Sequence, residues 1–160
     1  MVERTRIERL LGVVTDWARQ RPDIRGVALV GSWARDTARP DSDVDLVMLT
    51  TRPDHYTARA DWAIPLGATQ IVRTQPWGPL TERRLLLDGG LEVEVGVAQP
   101  TWAATNPVDA GTRRVVTDGM RILYDPDQRL AALANACQSA AQGLPIRWRR
   151  GDRSGRSRGP

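Results

Sequence analysis

The sequence predicts a single α/β or α+β domain, and three observations support that prediction. Two apolar runs of strand length, Arg25–Val30 and Val44–Leu49, flank a polar arc. Two further runs, Arg83–Leu87 and Leu91–Val97, flank Asp88-Gly89-Gly90, a sequence typical of a hairpin turn. Amphipathic segments near both ends of the chain predict helices that pack against the resulting sheet.

The first of these segments predicts a helix over Val2–Gln20. Its apolar residues recur at spacings of three and four: Ile7, Leu10, Leu11, Val14, Trp17 and Ala18. Pro22 ends the helix, because the residue before a proline is pushed out of the helical region.

Glycine, proline and other turn residues set the bounds of the remaining elements. We predict, in order, a short helix from Trp33 to Thr37, a weakly helical stretch Thr51–Ala63, a strand Thr69–Thr74, a loop Gln75–Pro79, a turn at Asp118-Gly119 and a strand Met120–Tyr124. The last helix has Asp125 as its cap and Pro126 as its first residue, and it ends before Gly143 and Pro145.

Charge divides the chain into a domain, residues 1–144, and a tail, residues 145–160. The tail carries six arginines and one aspartate, a net charge of +5, whereas residues 1–144 sum to about −1. A Gly/Ser/Arg composition predicts a disordered tail, with contact to RNA as the alternative. No apolar run reaches the ~18 residues of a membrane span. A lone Cys137 and no signal peptide fit a cytoplasmic protein without membrane contact.

The most informative stretch is the arc between the first two strands. Gly31-Ser32 ends the first strand, and Asp43 and Asp45 begin the second. Alternate residues of a strand face the same side, so these carboxylates lie roughly 6.5 Å apart at Cα. Such a pair suits two hard cations about 3.5–4 Å apart, which clamp a phosphoryl group. Turn chemistry alone explains Asp-Ser-Asp, but it does not require Asp45 inside an apolar strand.

These residues carry a family resemblance. The run GSWARDTARPDSDVDL resembles the signature of the nucleotidyltransferase (DNA polymerase β-like) superfamily, in which Gly-Ser precedes Asp-x-Asp by about ten residues. It is closest in style to the minimal nucleotidyltransferases and aminoglycoside nucleotidyltransferases of bacteria. Asp36 departs from the glycine usual in small members, which puts the tightness of the turn in question. The resemblance implies a mixed β-sheet with flanking helices, the nucleotidyltransferase fold.

The resemblance also implies an activity: transfer of a nucleoside monophosphate, AMP first, from an NTP to an acceptor hydroxyl, with release of pyrophosphate. Asp43, Asp45 and a third acid would bind two Mg²⁺ ions. Glu94 fits the third position better than Glu92, and would complete the metal shell or take the acceptor's proton. A solvated strand face remains the alternative for both. The NTP would contact a further set of residues: Gly31, Ser32, Arg35 and Ser42. For Arg35, an exposed helix position is the alternative.

The acceptor is left open, either a small molecule or a protein. The chain lacks the helical acceptor domain of larger family members, so acceptor binding would need a homodimer or a partner chain. The rival function is an antitoxin-like protein that binds a helical toxin partner. Trp33, Trp77 and Trp102 lie near the predicted site, and any of them could stack on a base or an acceptor ring.

Overall fold

A computed structural model describes the backbone of residues 2–149 and the side chains of residues 2–139. Its strands are β1 (Ile24–Val30), β2 (Val44–Thr50), β3 (Ala68–Trp77), β4 (Leu80–Leu87), β5 (Glu92–Ala98) and β6 (Met120–Tyr124). They form one sheet in the order β3-β4-β5-β2-β1-β6. The β2–β5 pair is parallel and the other neighbours are antiparallel, which confirms the predicted mixed sheet.

Helices lie on both sides of this sheet. They are α1 (Val2–Arg19), α2 (Gly31–Ala34), α3 (Pro53–Ala58), α4 (Ala110–Asp118) and α5 (Arg129–Arg149), with 3₁₀ helices at Asp61–Leu66 and Pro100–Ala103. Within the described residues, no helix combines the length and apolarity needed to cross a membrane.

Strand alternation divides the core into two layers. Val44, Leu46 and Met48 of β2 pack with α1 and the Asp61–Leu66 helix on one face. Val47 and Leu49 pack with Trp102, α4 and the start of α5 on the other face. Each strand therefore needs apolar residues on both sides, except where it reaches the edge of a layer. Asp45 lies at such a point on the second face.

Several predicted boundaries are wrong, each for a local reason. The helix predicted over Trp33–Thr37 is instead α2, which starts at Gly31 and stops at Ala34, because Asp36 takes a left-handed φ of 61°. The loop predicted at Gln75–Pro79 is mostly strand: β3 runs to Trp77, and only Gly78 and Pro79 turn the chain. Pairing with β4 overrides the weak local signal there.

The last helix also differs at both ends. It begins at Arg129, not Pro126, after Gln128 adopts a φ of 58°. Asp125 still caps it, because its carboxylate accepts the N–H groups of Leu130 and Ala131 at 3.0 and 2.9 Å. The helix continues through Gly143 and Pro145 to Arg149. Residues 150–160 of the predicted tail lie outside the described residues, and the boundary at residue 144 stays a prediction.

Candidate active site

The parallel pairing of β2 and β5 places two acids side by side. Asp45 lies opposite Glu94 in the ladder, and the apolar partners Val44 and Val93 lie opposite each other on the reverse face. Arg84 of β4 pairs with Glu94 from the other side, so its side chain shares their face. The two strands that carry the predicted acids are thus neighbours in the sheet, and Glu94 rather than Glu92 lies opposite Asp45.

Asp43 joins the same group from the residue just before β2. Its Oδ2 accepts a hydrogen bond of 3.0 Å from Nη1 of Arg84. The same guanidinium contacts the carboxylates of Glu92 and Glu94. We call Asp43, Asp45, Glu82, Glu92 and Glu94 the carboxylate cluster.

Sequence reasoning missed Glu82, a member of the cluster, and Arg84, the cation that contacts it. Both lie on β4, where Glu82 pairs with Arg73 of β3 at 2.5 Å, and Arg73 lies 3.8 Å from Glu94. The signal was available: counting back from the Asp88-Gly89-Gly90 turn places alternate residues of β4 beside Glu92 and Glu94.

Gly31 is fixed by its neighbour Asp45. Its φ of 75° is left-handed, and a Cβ built there would lie 2.2 Å from Oδ2 of Asp45. Only glycine satisfies both conditions. The resemblance implies that an NTP contacts Gly31, and in the structure the Asp45 carboxylate occupies the place that a side chain at this position would take.

Asp45 is the electrostatically costly member of the cluster. Burial raises the pKa of its carboxyl to about 6, and the negative charges of Asp43 and Glu82 act in the same direction. The charges of Arg84 and Arg35 oppose this effect without cancelling it. Among the described residues, no hydrogen bond to Asp45 compensates for its burial. A cation beside Asp45 would relieve this penalty.

The donor set fits a divalent metal in chemistry but not in its present arrangement. Carboxylate oxygens are the ligands that Mg²⁺ uses in proteins. In the described part of the chain, however, no three acids, histidines or cysteines lie close enough to hold one ion together. Arg84 occupies the position between Asp43, Glu92 and Glu94.

Two clefts meet at the cluster. The smaller has a volume of about 250 Å³ and is lined by Gly31, Arg35, Asp45 and Glu94, with apolar walls that include Leu80 and Val115. The larger, about 540 Å³, is bordered by the start of α1, the arc and the hairpin turn, and includes Asp43 and Glu92. The acids therefore separate two spaces that could each take a reactant.

Of the other residues predicted to contact the NTP, Arg35 lines a cleft, whereas Ser32 and Ser42 make hydrogen bonds within the arc. Arg35 follows the end of α2 and lines the smaller cleft. Its side chain packs closely on Gly119, where an added Cβ would lie 2.8 Å from Cγ of Arg35. The backbone carbonyl of Ser32 accepts the N–H of Thr37 at 3.0 Å. Ser42 Oγ accepts the N–H of Arg39 at 2.8 Å, so this hydroxyl braces the arc.

The three tryptophans predicted near the site differ in how far their rings are exposed for stacking. Trp102 is buried in the core, and Trp33 donates its Nε1–H to the carbonyl of Ser42 at 3.2 Å. Trp77 is 54% exposed, at the tip of the β3–β4 hairpin. Of the three, Trp77 presents the most open ring.

Comparison with protein families decides the wider assignment. A family model described as a nucleotidyltransferase domain matches residues 12–96, more than half of the chain. The chain belongs to the nucleotidyltransferase domain family. The match includes Gly31, Asp43, Asp45 and Glu94, and it confirms the resemblance inferred from the arc.

Solved structures resemble this nucleotidyltransferase only distantly. One, a toxin–antitoxin with AMP-PNP, has 14% sequence identity and a TM-score of 0.44, and the alignment covers 86% of this chain and 90% of that chain. The Cid1 poly(U) polymerase has 19% identity and a TM-score of 0.40, over 59% of this chain and 28% of the polymerase. No curated protein sequence matches the chain.

Proposed function

We propose that this nucleotidyltransferase moves a nucleoside monophosphate from an NTP to an acceptor hydroxyl. The acceptor oxygen forms a bond to the α-phosphorus, the bond from that phosphorus to the bridging oxygen breaks, and pyrophosphate leaves. The observation that carries this proposal is the pairing of Asp45 with Glu94 beside Gly31, at the junction of two clefts.

The chain's own residues divide the work between the clefts. The NTP lies in the smaller cleft, where the left-handed Gly31 leaves its backbone open and the exposed Arg35 can pair with phosphate oxygens. The acceptor enters by the larger cleft, at Asp43 and Glu92. Glu94 lies between the two reactants and takes the proton of the acceptor hydroxyl.

The chemistry of the donor set, though not its present arrangement, fits a divalent metal, and Asp43, Asp45 and Glu94 are the residues that would hold Mg²⁺. When bound, the metal would neutralise the phosphate charge that develops during transfer. ATP is the first donor to test, because adenylyl transfer is common among the proteins that the arc resembles.

A second function has one observation in its favour. Arg84 already neutralises part of the carboxylate cluster, as it would in a domain that only binds a partner protein. Such a binding protein needs no turnover of nucleotide. The two functions therefore separate by whether pyrophosphate is produced.

The test measures pyrophosphate release from each of the four NTPs with Mg²⁺, where water serves as a slow acceptor. We expect release with at least one NTP, and a fall of about 10²-fold or more in Asp43→Asn and Asp45→Asn. Asp127→Asn is the control, since Asp127 pairs with Arg25 away from the cluster. No release by the wild type, or equal release by all four proteins, would overturn the proposal.

A further inference from the structure

Arg84 occupies the centre of the carboxylate cluster. Its Nη1 lies 3.0 Å from Oδ2 of Asp43, and the same guanidinium contacts Glu92 and Glu94. The side chain is 19% exposed, and its Nε–H is buried without a hydrogen-bond partner among the described residues. One cation therefore bridges three acids, of which two belong to β5 and one is the residue before β2.

The charge of Arg84 is permanent. Burial lowers the pKa of its guanidinium, but the hydrogen bond to Glu92 and the charge of Asp43 outweigh burial and leave the pKa above its usual value. Arginine does not lose its proton in proteins. Deprotonation cannot clear the position, so a second cation can use the same oxygens only after the side chain has moved.

The oxygens that Arg84 engages include those proposed to hold metal. Asp43 and Glu94 belong to both sets, whereas Asp45 has no contact with the guanidinium within ion-pair distance among the described residues. A divalent ion and a guanidinium repel each other and compete for the same lone pairs. In this arrangement the guanidinium already occupies oxygens that a metal ion would need, so metal binding requires Arg84 to move.

The NTP offers Arg84 an alternative partner. Glu94, which Arg84 contacts, lines the smaller cleft together with Arg35 and Gly31. A planar guanidinium pairs with phosphate oxygens in the same two-pronged geometry as with carboxylates. The free Nε–H adds a donor that the carboxylates leave unused.

We propose that Arg84 is a positioning residue that closes the cluster to metal until nucleotide arrives. The guanidinium then moves from Asp43 and Glu94 to the phosphates, and the released carboxylates bind the metal. This inference rests on the proposed function. It predicts that metal alone binds weakly, and that metal and nucleotide strengthen each other's binding.

The experiment measures Mn²⁺ binding to the full chain without nucleotide, by the loss of the free-ion electron paramagnetic resonance signal. We expect Arg84→Gln to bind Mn²⁺ at least ~10-fold more tightly than wild type, within the usual range of coupling between sites. A purely structural Arg84 would give unchanged or weaker binding. The matched control is Arg121→Gln, which removes the same charge from an ion pair with Glu8. Arg121 lies on β6, at one edge of the sheet and outside the carboxylate cluster.

Arg84→Gln leaves several acids unneutralised, so a second variant protects the test against misfolding. Arg84→Lys keeps the charge but cannot bridge three carboxylates, and should bind Mn²⁺ with intermediate affinity. Equal Mn²⁺ affinity in wild type and the folded Arg84 variants, with the metal bound, would overturn the gating role and leave the proposed function standing. Absence of Mn²⁺ binding in every variant, with or without a non-hydrolysable NTP, would overturn both.

Discussion

Two partly buried aspartates, one at the margin of each face of the sheet, have pKa values shifted in opposite directions. Asp23, just before β1, accepts hydrogen bonds from Tyr56 Oη at 2.6 Å and Thr50 Oγ1 at 2.9 Å. Burial raises its pKa, but these hydrogen bonds outweigh burial and leave the pKa below its usual value. Asp45, on β2, has no such donors among the described residues, and its pKa rises to about 6.

Two adjacent arginines of β4 repeat the contrast. Arg83 points to the α1 face, where its Nη1 donates to the carbonyls of Tyr56 at 2.6 Å and Arg59 at 3.2 Å. Arg84 points to the opposite face and contacts three carboxylates. The α1 face uses polar groups to join elements of the fold, whereas the cluster holds more negative charge than Arg84 and Arg73 neutralise. A carboxyl whose pKa is raised by burial and by neighbouring negative charge, such as that of Asp45, is typical of a functional site.

The largest expected effect comes from filling the space beside Asp45. Gly31→Ala places a methyl group against Asp45 and forces a left-handed φ on alanine. We expect the free energy of unfolding to fall by about 2–4 kcal/mol in urea denaturation.

Gly12→Ala is the matched control. Gly12 lies inside α1, and a Cβ there meets nothing within 4 Å. This substitution should raise the unfolding free energy by roughly 0.5–1 kcal/mol. Equal effects of the two substitutions would show that Gly31 is not constrained by its site.

The next effect compares the two aspartates directly. In the metal-free protein, Asp45→Asn should raise the unfolding free energy at pH 7–8 by about 1–3 kcal/mol. A carboxyl with a raised pKa binds its proton more tightly in the folded state. Its ionisation therefore costs stability fully above pH 6, progressively less between about 6 and 3.8, and nothing below.

Asp23→Asn should change stability in the opposite direction. Its pKa is lowered, so ionised Asp23 stabilises the fold above its unfolded pKa, and this contribution is lost as the pH falls. Urea denaturation of both variants between pH 4 and pH 8 checks the two signs. A loss of stability in Asp45→Asn at pH 7 would contradict the contrast between the two faces.

The smallest expected effect lies in the arc. Asp36 has a φ of 61° and an exposed ion pair of 2.8 Å with Arg4. Asp36→Gly should raise the unfolding free energy by about 0.5–1 kcal/mol, because relief of the left-handed strain exceeds the loss of an exposed pair. Asp36→Ala keeps the strain and loses the pair, so it should lower the free energy. A higher unfolding free energy in Asp36→Ala would contradict the assignment of strain to the left-handed φ of Asp36.

The sequence predicts most of the strands because each carries its own pattern. Alternation and the Asp88-Gly89-Gly90 turn locate β4 and β5, and the apolar runs locate β1 and β2. The same alternation puts Glu94 on one face with Glu92, and the family resemblance implies that this face lies beside Asp45. No local pattern reveals the parallel pairing of β2 with β5, because these strands are distant in the sequence. The sequence predicts too short a β3 because Gln75–Pro79 has the composition of a loop, and the contacts of Arg84 follow only when the β4–β5 register is counted from the turn. The left-handed Asp36 was visible only as a departure from the glycine that the resemblance implies.

The proposed function requires Asp43, Asp45 and Glu94 to form a metal-dependent nucleotide site. The most direct measurement is the shift in unfolding free energy on adding Mg²⁺ with a non-hydrolysable ATP analogue, compared among wild type, Glu94→Gln and Glu92→Gln. At ligand about 100-fold above its dissociation constant, wild type should gain about 2.7 kcal/mol. Glu92→Gln should keep most of that gain and Glu94→Gln should lose it, because only Glu94 lies opposite Asp45. If wild type gains nothing from the analogue of any of the four NTPs, or if Glu92→Gln alone loses the gain, the assignment of this site is contradicted.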